Sequence, residues 1–527
     1  GIHYVGQLRE GAPMRFLLEQ LTEGQLQWAP LPAAFDAVLL GEPGAARPVH
    51  LRAGARRYFE ALKERFPHEA AAIDAFRGLL KSVDRGTALL LVLKLLPLPL
   101  ARWLCRSGIL SRLSAFCRLA TRSLHEVVAE LTGDADLRAV LSYILPTYGA
   151  VPSRASFSLH AILVNHFLGG AWYPRGGAGE IAFHTVRVVQ RAGGAALARA
   201  PVTRILLDGH GRACGESRRA PRRFPPYPHR DSPLFHALIP GAGVSVRKGQ
   251  EDVNIFAPVV ISDAGIFNTY ERLLPAEARA LPGIQEQLRL VTPGEGGFSV
   301  FVGLNGTKEE LGLESTNYFI YKGNDMDQLY GALRFPARVA ASRRLRHPSA
   351  SVSSHRMRRY LESSREEAAE NIPFLFITSP SCKDPTWDMR HPGKATLAVV
   401  TFANYEWFEE WRDEPAQRRS DDYEDAKRAF VDTIMRTVYK LYPGIEDRVE
   451  YVSGGTPLTN QHFIASAHGE MYGARQDTER LRAEAIATLR PRTAVPNLYL
   501  TGQDVCLAGF MGALQGAVLC AGAVLGR

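Results

Sequence analysis

The chain has 527 residues, 46% hydrophobic and 22% charged, a balance that excludes both a disordered protein and a bundle of membrane spans and leaves room for two domains with a large core. Its formal net charge of +9 would suit a nucleic-acid partner, but the charge is concentrated in two stretches. Residues 216–243 carry five Arg against two acids and residues 329–356 carry six Arg and no acid, net +3 and +6, so the rest of the chain is near neutral and a nucleic-acid footprint is excluded.

In chain order, GIHYVGQ opens the sequence, and apolar residues at helical spacing follow over Phe59–Leu80 and Thr121–Tyr143. Between them, TALLLVLKLLPLPLARWL is the most apolar stretch. Its apolar part, Ala88–Leu100, is too short to cross a bilayer, holds Lys94 and is broken by Pro97 and Pro99. Two readings stand: a buried helix end in a substrate domain, or a face that dips into a membrane to collect an apolar substrate. HAILVNH places His160 and His166 six apart, off the spacing of a helical metal pair, so both are read as polar satellites of a core helix.

From Trp172 the pattern turns to alternating strand and helix. WYPRGGAGE leads into a helix over IAFHTVRVVQ, which ends at Gly193-Gly194. GAGEIA, Gly177–Ala182, matches a loose dinucleotide fingerprint, but no acidic residue ends a second strand about twenty residues on, so its glycines are read as packing residues. Joining RILLDGHGRACG directly to VSVRKGQEDVNIFAPVVIS gives a hairpin, so the proline-rich 216–243 and the Arg/Ser-rich 329–356 are read as disordered insertions in a finished fold. ATLAVVTF is read as a strand and DAKRAFVDTIMRTVYKLY as a helix, which makes the chain α/β or α+β without repeats.

The chain ends on NLYLTGQDVCLAGFMGALQGAVL: a strand, a Thr-Gly turn, an acid, then a glycine-lined helix. Such a helix start can meet electron density on a cofactor, or its small face can pack tightly on a sheet, and the spacing leaves both open. The six cysteines (Cys105, Cys117, Cys214, Cys382, Cys506, Cys520) form no CxxC pair and read as mostly buried thiols. GxSxG and HExxH are absent, so hydrolytic and metal chemistry are unsupported.

Together with GIHYVGQ, WYPRGGAGEIAFHTVRVVQRAGG, VVISDAGIFNTYERLLP and TPLTNQHFIASAHGEMYGA, the C-terminal stretch resembles the flavoprotein family of carotenoid isomerases and phytoene desaturases, in its retinol-reducing branch. The resemblance covers nearly the whole chain apart from the two Arg-rich stretches. It implies an FAD-binding domain of the amine oxidase/phytoene desaturase type, an apolar polyene substrate, and saturation of the 13,14 double bond of all-trans-retinol. It also implies NAD(P)H as a candidate electron donor and peripheral contact with the endoplasmic reticulum membrane. Polyene desaturation or isomerisation, and a non-catalytic chain unable to retain FAD, are the alternatives.

Carried over position by position, the resemblance puts His3 beside the flavin ring. Val202 and Ser262, Asp263 and Ala264 fall near the adenine, Gly502 and Asp504 near the ribityl chain, and Gly512 and Ala513 at a helix start facing the pyrimidine. His3, Tyr4 and Tyr472 become candidate proton donors. The implied organisation is a substrate domain over 1–168 and 276–489, with residues 1–8 beside the flavin, and an FAD-binding domain over 169–275 and 490–527. Family members begin with a strand, GxGxxG, helix and acidic residue, and Gly1 falls just beyond that unit, so half a cofactor site is expected.

Overall fold

Phe298, Val300, Val302 and Leu304 are buried on alternate positions of one strand, and this period of two builds the largest sheet. The computed structural model describes residues 2–208, 211, 243–324 and 360–526. Numbered along the chain, its first strands are β1 (Val5–Gly6), β2 (Trp28–Pro30), β3 (Ala34–Leu40), β4 (Val49–Arg52), β5 (Ala171–Pro174), β6 (Val202–Leu206), β7 (Gly243–Lys248) and β8 (Glu251–Phe256). The remainder are β9 (Val260–Ser262), β10 (Gly297–Asn305), β11 (Asn317–Tyr321), β12 (Phe374–Thr378), β13 (Lys394–Phe402), β14 (Val449–Gly455) and β15 (Leu498–Leu500).

Seven strands form a mixed sheet in the order β14-β10-β13-β12-β11-β3-β4, in which β11 and β3 run parallel. The helix Asp421–Leu441 packs on it through Phe430, whose ring stacks on Phe298 at 5.1 Å. Tyr143, from the helical N-terminal region, meets Phe319 of β11 edge-on at 5.0 Å. Strands β1, β5 and β2 form a small antiparallel sheet, and β6, β7 and β8 form another. The hairpin obtained by skipping the first Arg-rich stretch is therefore present, with Leu206 opposite Gly243. Gly243 itself opens β7, one residue that the expected insertion should not have included; the rest of 216–243, and all of 329–356, lie outside the described residues.

Three expected helices are broken where the chemistry of the chain demands it. Phe59–Leu80 divides into Ala55–Arg65 and Ala70–Gly86 because Pro67 opens a short 3-10 turn between them. Thr121–Tyr143 divides into Leu124–Leu131, started by a Ser123/Glu126 capping box, and Ala135–Leu141, capped by Asp134. The apolar stretch becomes Ala88–Leu95 and Leu98–Arg106, separated at Pro97.

Candidate active site

The strands β9 and β15 run parallel, with Leu498 opposite Val260 and Leu500 opposite Ser262, so the turns that follow them lie side by side. Gly502 sits there at φ 83°, and a Cβ on it would collide with the Asp263 carboxylate, so only glycine is accommodated. Asp504 is buried between the turns and commits both carboxylate oxygens to backbone amides: Oδ1 accepts from Ala474 N and Oδ2 from Ile266 N, each at 2.8 Å. The fully buried Arg480 donates to the carbonyls of Asp504 at 2.7 Å and Cys506 at 3.2 Å. Burial, and after it the charge of Asp504, push the Asp263 carboxyl upward.

The last helix, Gly509–Leu525, begins three residues before the start expected at Gly512 and Ala513. A Cβ on Gly512 would meet the Leu507 backbone within 3.0 Å, and one on Gly516 would meet the Gly502 backbone equally closely. The glycine stripe is thus needed to seat the helix on the chain's own preceding turn. Ala508 offers no side-chain cap, Gln503 Oε1 accepts from the first amide, Gly509 N, at 3.3 Å, and the first turn opens onto a cavity of about 350 Å³.

That cavity is walled by Leu507–Gly512 and Gln515, by Phe319, Phe374, Phe376 and Phe402 of the large sheet, and by one face of the helix Phe157–Leu168. Ile2–Val5 crosses it, with the His3 ring edge-on to Phe376 at 4.9 Å. Thr87, Ala88, Leu90 and Leu91 complete the wall, and from the same helical region Leu95, Trp103 and Leu113 project outward with 67%, 59% and 82% of their surface exposed. Neither sequence reading of this stretch is adequate alone: it lines the cavity and carries an apolar outer face.

Behind the His3–Tyr4 segment lies a buried polar cluster. Asp36 accepts from Tyr4 Oη at 3.0 Å, Tyr143 Oη at 3.2 Å and Asn317 Nδ2 at 2.8 Å. Lys383 donates to the His3 carbonyl at 3.0 Å and to the side chains of Asn317 and Thr378, so one amide separates the two opposite charges. Burial raises the Asp36 carboxyl and lowers the Lys383 ammonium. Residue composition gave no sign of this cluster, because its members come from five separate segments.

Of the positions carried over from the family resemblance, His3 and Gly512 line the cavity. Asp263, Gly502 and Asp504 gather at the ends of β9 and β15, while Val202 lies on the exposed part of β6 and Ala513 one step along the last helix. Burial and the nearby Lys383 charge bring the His3 pKa down to about 3, and Tyr4 is committed to Asp36. Among the described residues the Tyr472 hydroxyl has no protein partner, and burial pushes it up to about 12. His160 is the core satellite expected, held between Tyr148 Oη at 3.1 Å and the Leu141 carbonyl at 2.8 Å. His166 is not: it lines the cavity.

No family model matches the chain. All-trans-retinol 13,14-reductase of Danio rerio is 47% identical over 527 residues, covering 100% of this chain and 78% of the relative, and that of Homo sapiens is 46% identical over 100% and 77%. The chain belongs to the all-trans-retinol 13,14-reductase family. An inactive all-trans-retinol 13,14-reductase of Danio rerio is less similar, 33% identical over 100% of this chain and 78% of the relative. Among solved structures, cyclohexylamine oxidase from Brevibacterium oxydans IH-35A superposes with a TM-score of 0.52 at 15% identity over 99% of this chain and 87% of that one. An oxidoreductase from Methanosarcina mazei gives 0.52 at 12% over 100% and 88%. The solved structures bear out the expected fold class, a mixed α/β fold of amine oxidase type, and the family makes the chain an oxidoreductase.

Proposed function

We propose that the protein is an FAD-dependent reductase that saturates the 13,14 double bond of all-trans-retinol. The observation that carries this reading is the N-terminus of the Gly509–Leu525 helix, where Gln503 meets only the first amide, facing an aromatic, largely apolar cavity. Free amides and the positive end of a helix dipole suit the electron-rich pyrimidine edge of a flavin, and the phenylalanine wall suits a flat polyene. The flavin, when bound, supplies a hydride to one carbon of the double bond. The chain's own work is to hold the substrate, exclude water and provide a proton to the neighbouring carbon. Of the three candidate donors, Tyr472 is favoured, because its hydroxyl is uncommitted while His3 stays neutral and Tyr4 is bonded to Asp36.

In this proposal His3 and Gly512 face the ring system, and Gly502, Asp504 and Ala513 form the turn and helix behind it. Val202, Ser262, Asp263 and Ala264 lie toward the adenosine end, and the FAD-binding parts are 169–275 and 490–527. Electrons come from NAD(P)H. The protein works as a peripheral guest of the endoplasmic reticulum membrane, a reading supported by the exposed Leu95, Trp103 and Leu113 beside the cavity wall. The chain in complex with FAD, a reductant and all-trans-retinol should yield 13,14-dihydroretinol. Conversion of a carotene but not of retinol would replace this reading with the desaturase or isomerase one.

A further inference from the structure

His166 is the cavity residue that the reading above leaves without a task. Its helix, Phe157–Leu168, passes so close to β1 that a Cβ on Gly6 would fall within 3.0 Å of the His166 carbonyl and of its Cδ2. Glycine is required for this crossing, and the close approach lets Gly6 N–H donate to His166 Nε2 at 2.8 Å. A ring nitrogen that accepts from an amide carries no hydrogen, so the one proton of the neutral ring must sit on Nδ1. Burial keeps the ring neutral by lowering its pKa to about 4.

Nδ1 has no hydrogen-bond partner among the described residues, and it is not among the buried polar atoms left unsatisfied. The side chain is only partly buried and lines the cavity beside Leu163 and Phe167. Gly6 has therefore fixed a single N–H donor, in one tautomer, on a largely apolar wall.

We infer that His166 Nδ1–H donates to the hydroxyl oxygen of the polyene alcohol and thereby determines specificity for an alcohol over a hydrocarbon; this rests on the retinoid reading given above. In all-trans-retinol the hydroxyl is on C15, adjacent to C14. A donor that holds the oxygen also fixes the reacting 13,14 bond, and a hydrocarbon leaves that donor unpaired.

The test is equilibrium binding, read by quenching of tryptophan fluorescence, of all-trans-retinol and of its deoxy hydrocarbon analogue. The wild-type chain should bind the alcohol about tenfold more tightly. His166→Gln keeps an acceptor for Gly6 N–H at the Nε2 position but has no donor at Nδ1, so it should stay folded and lose the preference while retaining hydrocarbon affinity. His166→Asn keeps a donor near Nδ1 and should retain most of the preference. A folded His166→Gln variant that still prefers the alcohol, or loss of the preference in Tyr472→Phe instead, would overturn the assignment to His166. Failure of the wild-type chain to bind either polyene would overturn the retinoid reading itself.

Discussion

Lys94 and Arg490 cap each other's helices. Lys94, in the helix Ala88–Leu95, donates to the carbonyls of Ile486 at 2.8 Å and Leu489 at 2.6 Å, at the end of the helix Ala483–Thr488. Arg490, just past that helix, donates to Leu93 O at 2.7 Å and Leu96 O at 2.5 Å, at the end of the first. Each cation satisfies carbonyls that have no partner within their own helix.

The exchange predicts a pH dependence. Burial, then the Arg480 charge, lowers the Lys94 pKa from 10.5 to about 7. Between those two values the unfolded chain binds a proton that the folded chain does not, so this group makes stability rise with pH from about 7 to about 10.5. The penalty is greatest below pH 7. In Lys94→Met this contribution is gone, and thermal denaturation of the two proteins across pH 6–10 (roughly the titration window) should show the wild type gaining on the variant as pH rises.

Asp504→Asn should lower stability without any flavin present. An amide oxygen can serve only one of the two N–H groups of Ile266 and Ala474, so a hydrogen bond to charge worth about 1.5–3 kcal/mol is lost. Urea unfolding of the flavin-free protein checks this; an unchanged midpoint would mean that Asp504 matters only to a ligand.

Gly516→Ala should be as damaging as a core defect, at about 3 kcal/mol, because its methyl group meets the immovable Gly502 backbone. Gly78→Ala, at a helical position with nothing within 4 Å, serves as the control and should be neutral or slightly stabilising. Melting temperatures of the pair make the comparison.

Replacing both Trp103 and Leu113 by Ser should reduce sedimentation with phospholipid vesicles about tenfold or more, since each side chain contributes about 1.5–3 kcal/mol when fully removed from water. Retained binding of the double variant would remove this face from the membrane proposal.

The sequence made local features legible and long-range ones opaque. The strand, turn and helix of 498–525 could be read because each follows from neighbouring residues, as could the β6–β7 hairpin. Lys94 looked like an interruption in an apolar run because its carbonyl partners lie 392 and 395 residues away. His166 looked like a core residue because the amide that fixes its ring, Gly6 N–H, lies 160 positions earlier. The glycines of the last helix left open a cofactor at its start or tight packing on a sheet, and the backbone that Gly512 and Gly516 approach is that of their own preceding turn.

The pairing of β15 with β9 spans 238 residues, and the Asp504 bond to Ile266 spans the same 238. During synthesis, the upstream strand must therefore wait with an open edge until its partner, 238 residues on, has left the ribosome. Closing so distant a pair is slow, and an unpaired edge invites foreign strands. The wall that Leu507–Gly512 gives the cavity therefore forms only after this distant pairing, and until then Val260–Ser262 is the edge at risk.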